Sequence, residues 1–413
     1  MYAAMLTSCG ARSALPDRVA PPFASWSSPN ATGYSVIYSF AQFGKSNDGN
    51  RPMSDLRAAA GALYGTTVYG GITNANCALG CGTLFSIDTS GRERVLHRFT
   101  GGSDGAAPLA GVVIDGALYG TTSAGGGATG CGDGCGTVYK AGTGGTPETV
   151  LHAFKGGTDG ADPVARMVRF GSVFYGTTQY GGQDTPLCPS GCGTVFSMRP
   201  DGAERVIYRF KGGKDGANPS APLYVYGGRL YGTTQYGGAT TPYCSTGCGT
   251  IFQISVTGVK KTLHAFHYSP ASTDGAFPAS GLIALRSKLY GTSFGGGKHA
   301  QGTVFAIDPS TGSELVVHSF LCCHTVTDGE YPLAGLIVRN GILFGTTREG
   351  GVSGRGTVFE VRVPGGETVL HDFAGKPDGA TPSAGLAVFG SQLYGTAADG
   401  GARSEGAVFA LTP

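Results

Sequence analysis

A repeat of about fifty residues runs seven times through this chain, and no other feature limits the fold so strongly. Gly-Thr-Thr, or a close variant, begins at Gly65, Gly120, Gly176, Gly232, Gly291, Gly345 and Gly395, at steps of 55, 56, 56, 59, 54 and 50 residues. Each copy holds four short segments: Pro-x-x-Gly-Leu (as in 332–338), Leu-Tyr-Gly-Thr-Thr (118–122), Gly-Thr-Val-Phe-x-Ile (302–307) and Val-Leu-His-x-Phe (150–154). These segments are rich in β-branched and aromatic residues, and clusters of Gly, Asp and Pro separate them, which is the pattern of short strands in tight succession. No stretch sustains a 3.6-residue apolar period with caps, so almost no helix is expected. Four antiparallel strands repeated seven times predict an all-β, seven-bladed β-propeller.

The two ends test that reading. The last copy stops after its third segment, and the missing fourth appears at the other terminus, where residues 35–40 read Ser-Val-Ile-Tyr-Ser-Phe. An open array would leave two sheet edges exposed, an invitation to aggregation, and an open solenoid needs capping repeats that are not visible. The N-terminal strand is therefore expected to complete the last blade and close the ring. The apolar position four residues after each proline is Leu56, Val112, Met167, Leu223, Leu282, Leu336 and Leu386, as the innermost strand's core position should be. Just before it stands Gly111, Gly281, Gly335 or Gly385, or else Asp55, Arg166 or Pro222. Glycine suits inner strands that converge on an axis.

Of 413 residues 74 are glycine, without a collagen period, while 40% are hydrophobic, enough to build a core. Charged residues make up 14% and the net charge is +2, with no long basic block, which argues against a nucleic-acid partner. No apolar run reaches the length of a membrane-spanning helix.

The recurrent Leu-Tyr-Gly-Thr-Thr, Gly-Thr-Val-Phe and Asp-Gly-Ala-x-Pro blocks resemble those of the GloVer tandem-repeat proteins, bacterial surface proteins with a choice of anchors. The resemblance covers residues 33–413 and implies an exported, anchored repeat protein; it brings no catalytic residues. Leu6-Thr7-Ser8-Cys9 fits a lipobox with Cys9 as the lipidated residue, although residues 1–8 are too short for a complete signal peptide. The rival reading is a stray cysteine in a tail. Residues 1–32 are expected to be a signal remnant and flexible tether, and membrane contact is expected only through an anchor at Cys9.

Four Cys-x-x-x-Cys pairs, Cys77/Cys81, Cys131/Cys135, Cys188/Cys192 and Cys244/Cys248, all lie between second and third strands. There nine or ten residues separate Gly-Gly from Gly-Thr, against four or five in blades 5 to 7, which carry Gln301, Arg355 and Glu405 at the second-cysteine position. Pairs that accompany long loops and vanish from short ones are expected to be disulfides that fix loop shape, and they imply an oxidising, extracytoplasmic location. A metal site needs four converging ligands and each blade offers two. Cys322 and Cys323 are adjacent, either as a vicinal disulfide or as free thiols.

An Asp-Gly pair precedes every inner strand, at Asp48, Asp104, Asp159, Asp215, Asp274, Asp328 and Asp378. One carboxylate per blade does not make a calcium loop, whereas an Asx-type turn suits a residue present in all copies. His97, His152, His264, His318 and His371 stand two before the outer-strand phenylalanine, with Tyr38 and Tyr208 in the other copies. Replacement by tyrosine points to packing rather than to metal or catalysis. Positions that break the repeat are more informative. Before Gly-Gly, blades 1, 3 and 4 carry Tyr69, Tyr180 and Tyr236, beside the cysteine loops, where rigid tyrosines would offer platforms for a glycan or a protein. Asp55 and Arg166 are charged breaks that would line the axial channel. There is no nucleophile elbow, phosphate loop or His-Glu-x-x-His motif.

The expected function is therefore non-catalytic binding of a glycan or protein ligand by an exported monomer without cofactor or metal. The alternatives are a polysaccharide lyase, hydrolase or lactonase working at the axis through Asp55 and Arg166, and a purely structural surface protein.

Overall fold

The computed structural model describes residues 33–41, 48–145, 148–321 and 328–413. Cys9, the tether 1–32, Cys322 and Cys323 lie outside the described residues.

Seven four-stranded antiparallel sheets form the blades of a propeller. Blade 5 is typical: Ile283–Leu285, Lys288–Ser293, Thr303–Ile307 and Glu314–Ser319 follow in order from the inside outward. Among the described residues, helix is confined to two short 3-10 turns, Gly157–Asp159 and Gly213–Asp215. Blade 7 draws Ala387–Phe389, Gln392–Ala397 and Ala407–Leu411 from the C-terminal end and its outer strand Ser35–Ser39 from the N-terminal end. Ser35 faces Ala410, Val36 faces Phe409 and Ser39 faces Ala407. The ring is closed as the sequence implies.

The recurring residues have physical reasons. In every blade the glycine of Gly-Thr-Thr lies opposite the third-strand aromatic, as Gly232 lies opposite Phe252. A Cβ at Gly232 would lie 2.7 Å from the Phe252 ring and 2.8 Å from Leu223, so only hydrogen fits there. The ring that fills this space also meets the outer-strand phenylalanine of the preceding blade edge-on. The pairs are Phe40–Phe85, Phe99–Tyr139, Phe154–Phe196, Phe210–Phe252, Phe266–Phe305, Phe320–Phe359 and Phe373–Phe409, with centroids 5.1–5.3 Å apart. T-shaped contacts of this kind add about 0.5–1.5 kcal/mol each to the burial term. One aromatic pair thus clips each junction, including the junction between the two ends of the chain.

The buried apolar residues fall into seven clusters, one per junction. The core is a ring of equal interfaces rather than one central mass, as expected of a repeat architecture. The two threonines divide the polar work. The first reaches the next blade in every copy but that of Thr177, as Thr66 Oγ1 donates to the Pro108 carbonyl at 2.7 Å and Thr396 to that of Ser54 at 3.3 Å. The second pairs within its blade, as Thr234 with Thr250 at 2.7 Å. Such buried hydroxyls would be costly without partners.

Candidate functional site

The Asp-Gly segments and the loops between second and third strands share one end of the ring. Short bridges tie them: Asn50 faces Tyr69, Ala161 faces Tyr180 and Ala217 faces Tyr236. The three tyrosines therefore lie on the face that also carries the cysteine loops. Tyr180 is exposed at one edge of its loop, whereas Tyr69 is half-buried and Tyr236 packs edge-on against Phe277 at 5.9 Å.

All four expected disulfides form, Cys77–Cys81, Cys131–Cys135, Cys188–Cys192 and Cys244–Cys248, with Cα atoms 5.1–5.3 Å apart. Their setting adds to the expectation that they fix loop shape. The second cysteine of each pair is a core residue: Cys81, Cys135, Cys192 and Cys248 are at most 1% exposed. Each belongs to the junction cluster that holds its blade's outer-strand phenylalanine, Cys81 with Phe99, Cys135 with Phe154, Cys192 with Phe210 and Cys248 with Phe266. The reason is position. Standing directly before Gly-Thr, this cysteine is at the root of the third strand, where side chains already turn into the blade junction. The bridge therefore ties an outlying loop to the core, and Cys81, Cys135, Cys192 and Cys248 offer a ligand no surface of their own.

In blade 3 the sulfurs also lie over the turn after the outer strand. A Cβ at Gly212, whose φ is 73°, would sit 3.1 Å from Cys192 Sγ and 3.3 Å from Cys188 Sγ. The disulfide thereby presses one loop of this face onto the other.

The side chains these loops present are ones the repeat pattern does not single out. Leu187 and Tyr243 each stand immediately before the first cysteine of a pair and are 71% and 55% exposed; Leu79, inside the first pair, is 52% exposed. Of eleven large hydrophobic side chains exposed among the described residues, seven lie on this face: Ile72, Leu79, Tyr180, Leu187, Tyr243, Leu321 and Val352. They are spread over blades 1, 3, 4 and 6 and the loop after blade 5. Residue volume just before a cysteine was the signal available in the sequence.

Asp55 and Arg166 do meet, with Arg166 Nε 3.9 Å from Asp55 Oδ2. Asp55 Oδ1 accepts the Gly385 N–H at 2.7 Å, across from blade 1 to blade 7. Burial, reinforced by Arg57, pushes the Arg166 guanidinium down to about 10, against the opposing pull of Asp55. Asp55 thus fastens blade 1 to blade 7, while Arg166 Nε is buried without a hydrogen bond.

The aspartates and histidines, separate columns in the sequence, are one device. The outer-strand His or Tyr of each blade contacts the aspartate that leads into the next: His97–Asp104 and His152–Asp159 at 3.2 Å, His264–Asp274 at 3.4 Å, His318–Asp328 at 3.3 Å and His371–Asp378 at 3.1 Å. Tyr38 and Tyr208 donate to Asp48 and Asp215 at 2.7 and 2.6 Å. Burial would raise the Asp104 and Asp159 carboxyls, but hydrogen bonds from the histidines and from backbone or threonine donors outweigh it and hold them below the usual range. A residue at or just before the start of the next blade's outer strand completes each group, as Glu148, one before Thr149–Ala153, lies beside His97 and Asp104.

A family model described as Gloeobacter/Verrucomicrobia repeat matches residues 27–238, 129–332 and 321–413. No curated protein matches the chain. Among solved structures, a putative 6-phosphogluconolactonase from Bacteroides uniformis is 16% identical with a TM-score of 0.47, over 77% of this chain and 83% of that one. A nidogen/laminin complex is 13% identical with a TM-score of 0.41, over 69% of this chain and 88% of that one. TolB from Acinetobacter baumannii is 16% identical with a TM-score of 0.38, over 68% of this chain and 57% of that one. These likenesses carry no functional implication. The repeat family and the four disulfides fit an extracytoplasmic binding or structural protein.

Proposed function

This chain belongs to the Gloeobacter/Verrucomicrobia repeat family, and from that premise we propose that it is an exported, surface-anchored, non-catalytic propeller that binds a protein ligand through its disulfide-pinned loop face. The observation that carries the reading is the gathering of exposed Ile72, Leu79, Tyr180, Leu187, Tyr243 and Val352 on one face, with Ile72, Leu79, Leu187 and Tyr243 on loops held by disulfides. Rigid loops lose little entropy on binding, and the apolar side chains they hold out serve as anchors. Aliphatic Leu79 and Leu187 favour a protein over a sugar, which would want flat aromatic platforms and polar partners; Tyr69, Tyr180 and Tyr236 serve as flanking contacts. Anchoring through Cys9 belongs to the same proposal.

The enzyme alternative finds less support. Asp55 Oδ1 is taken up by the Gly385 N–H and its other oxygen faces Arg166 at 3.9 Å, which counts against a free acid–base pair at the axis.

The test is a binding screen of the disulfide-intact protein against surface proteins of its host cell and against a glycan array. Alanine at Leu187 and Tyr243 together, and separately at Tyr69, Tyr180 and Tyr236, is expected to weaken capture of a protein ligand at least tenfold, a loss of about 1.4 kcal/mol. Saturable binding only to glycans would transfer the face to sugars. Protein binding untouched by both variants would reject the face.

A further inference from the structure

The junction between blades 4 and 5 holds an unsatisfied group of metal-ligating side chains. His264, from the outer strand of blade 4, Asp274, from the loop into blade 5, and Glu314, from the outer strand of blade 5, each offer a ligand atom within 4.8 Å of the others. Asp274 Oδ1 and Glu314 Oε1 are buried without a hydrogen bond, and His264 Nε2 has only a misaligned contact with Asp274 Oδ2 at 3.4 Å. The other Asp274 oxygen is occupied by the His267 N–H at 2.7 Å. Two orphaned carboxylate oxygens beside a poorly aligned imidazole are costly unless something unites them.

The neighbouring junction shows what is missing. Lys260 and Glu314 hold the same register place, opposite Ile254 and Ile307. Between blades 3 and 4 the Lys260 ammonium donates to Asp215 Oδ1 at 2.9 Å, to the Asp215 carbonyl at 2.6 Å and to Thr262 Oγ1 at 3.0 Å, while Tyr208 completes the aspartate. There the chain supplies its own cation. Between blades 4 and 5 a second carboxylate takes the lysine's place, and the charged or chargeable groups that face Glu314 are Asp274 and His264.

We propose that His264, Asp274 and Glu314 bind a divalent transition-metal cation of the zinc class, which staples blade 4 to blade 5. One imidazole nitrogen with two carboxylate oxygens suits zinc and its neighbours, whereas calcium would want oxygen alone. Water completes the coordination. The site is structural, since it bridges two blades within a wedge rather than opening on a cleft. The groups His152, Asp159, Glu204 and His318, Asp328, Glu367 repeat the residue types, but there the histidine Nε2 makes an aligned hydrogen bond to the aspartate, which the 3.4 Å contact of His264 is not, so weaker binding is expected.

The protein is stripped with chelator, its cysteines outside disulfides are alkylated, and it is titrated with Zn²⁺ by calorimetry while bound metal is counted by elemental analysis. His264→Tyr with Glu314→Lys copies the junction that this chain already builds from Tyr208, Asp215 and Lys260. Wild type is expected to take up zinc saturably and melt higher with it; the double variant is expected to bind one equivalent fewer, losing the tightest class of site. Glu314→Gln, which keeps size and shape, gives the same loss should the double variant fold poorly. Equal zinc counts in wild type and Glu314→Gln, or no saturable uptake by wild type, would overturn the assignment.

Discussion

Tyr139 meets Phe99 edge-on at 5.1 Å, in the place where the other six junctions pair two phenylalanines. Its hydroxyl is buried without a hydrogen bond, and burial, with Glu148 nearby, drives the phenol far above its ordinary range. The hydroxyl adds a desolvation cost and nothing visible in return. Tyr139→Phe is therefore expected to stabilise the protein by about 1–2 kcal/mol. Denaturant unfolding should show a higher midpoint at unchanged slope; a lower midpoint would mean that the hydroxyl has a partner.

Closure of the ring predicts that its two ends matter as much as its middle. Phe40 is fully buried against Phe85, as Phe154 is against Phe196. Phe40→Ala and Phe154→Ala should each cost about 3–5 kcal/mol, the usual range for emptying a buried phenylalanine site. In an open array the terminal substitution would be nearly silent. Equal shifts of the unfolding midpoint support the ring, and a silent Phe40→Ala refutes it.

The blades were legible because each recurring residue answers one local demand, and seven copies display it. Gly232 is dictated by the Phe252 ring above it, and any copy with a side chain there would not close. Junction chemistry was less legible. His97 and Asp104 are seven apart, but His264 and Asp274 are ten apart, because the loop between blades 4 and 5 is longer. A pair of variable spacing looks like two unrelated columns until the strands are folded. The column of Glu148 and Glu314 was harder still, since Lys260 and Tyr34 occupy it elsewhere; Tyr34 instead stacks on His371 at 3.5 Å. The cysteine pairing was plain from the loop lengths, but not that Cys81, Cys135 and Cys248 would be core residues, since burial depends on which way the strand root turns. On the loop face the tyrosine column was visible, but exposure was not: Phe277 half-covers Tyr236, while Leu187 and Tyr243 lie inside loops that other blades lack.

Glu148 makes stability depend on pH. Burial pushes its carboxyl up to about 7, with His97 pulling the other way and Asp104 adding to the rise; Oε1 has no hydrogen-bond partner. A folded-state value above the unfolded one, near 4.3, means that the protonated form is the stabilising one. That contribution is complete below about pH 4 and fades as pH rises through about 7. Glu148→Gln stays neutral throughout, so it should match wild type in acid and exceed it at pH 8. Partial exposure screens the effect to about 1 kcal/mol. Melting curves of the two proteins from pH 4 to 8 should diverge upward; parallel curves would show that Glu148 ionises freely in the folded state.

The disulfides should hold loop position more than fold. A bridge over four positions removes little chain entropy, about 2 kcal/mol at most by loop-closure reasoning, and the blades on either side are held by their own junction clusters. Yet Cys188 and Cys192 lie against Gly212, so the bridge decides where Leu187 points relative to the next loop. Replacing Cys188 and Cys192 by alanine should lower stability by about 2–3 kcal/mol, the lost sulfur of buried Cys192 adding to the entropy term, while unfolding stays cooperative. Amide exchange should speed up within residues 183–191 and stay slow in Thr194–Met198, the strand that follows. Ligand capture by the loop face should fall with the loss of order, because the anchors must then be fixed at the moment of binding. Collapse of the whole propeller on removal of this one bridge would show instead that the disulfides hold the ring itself.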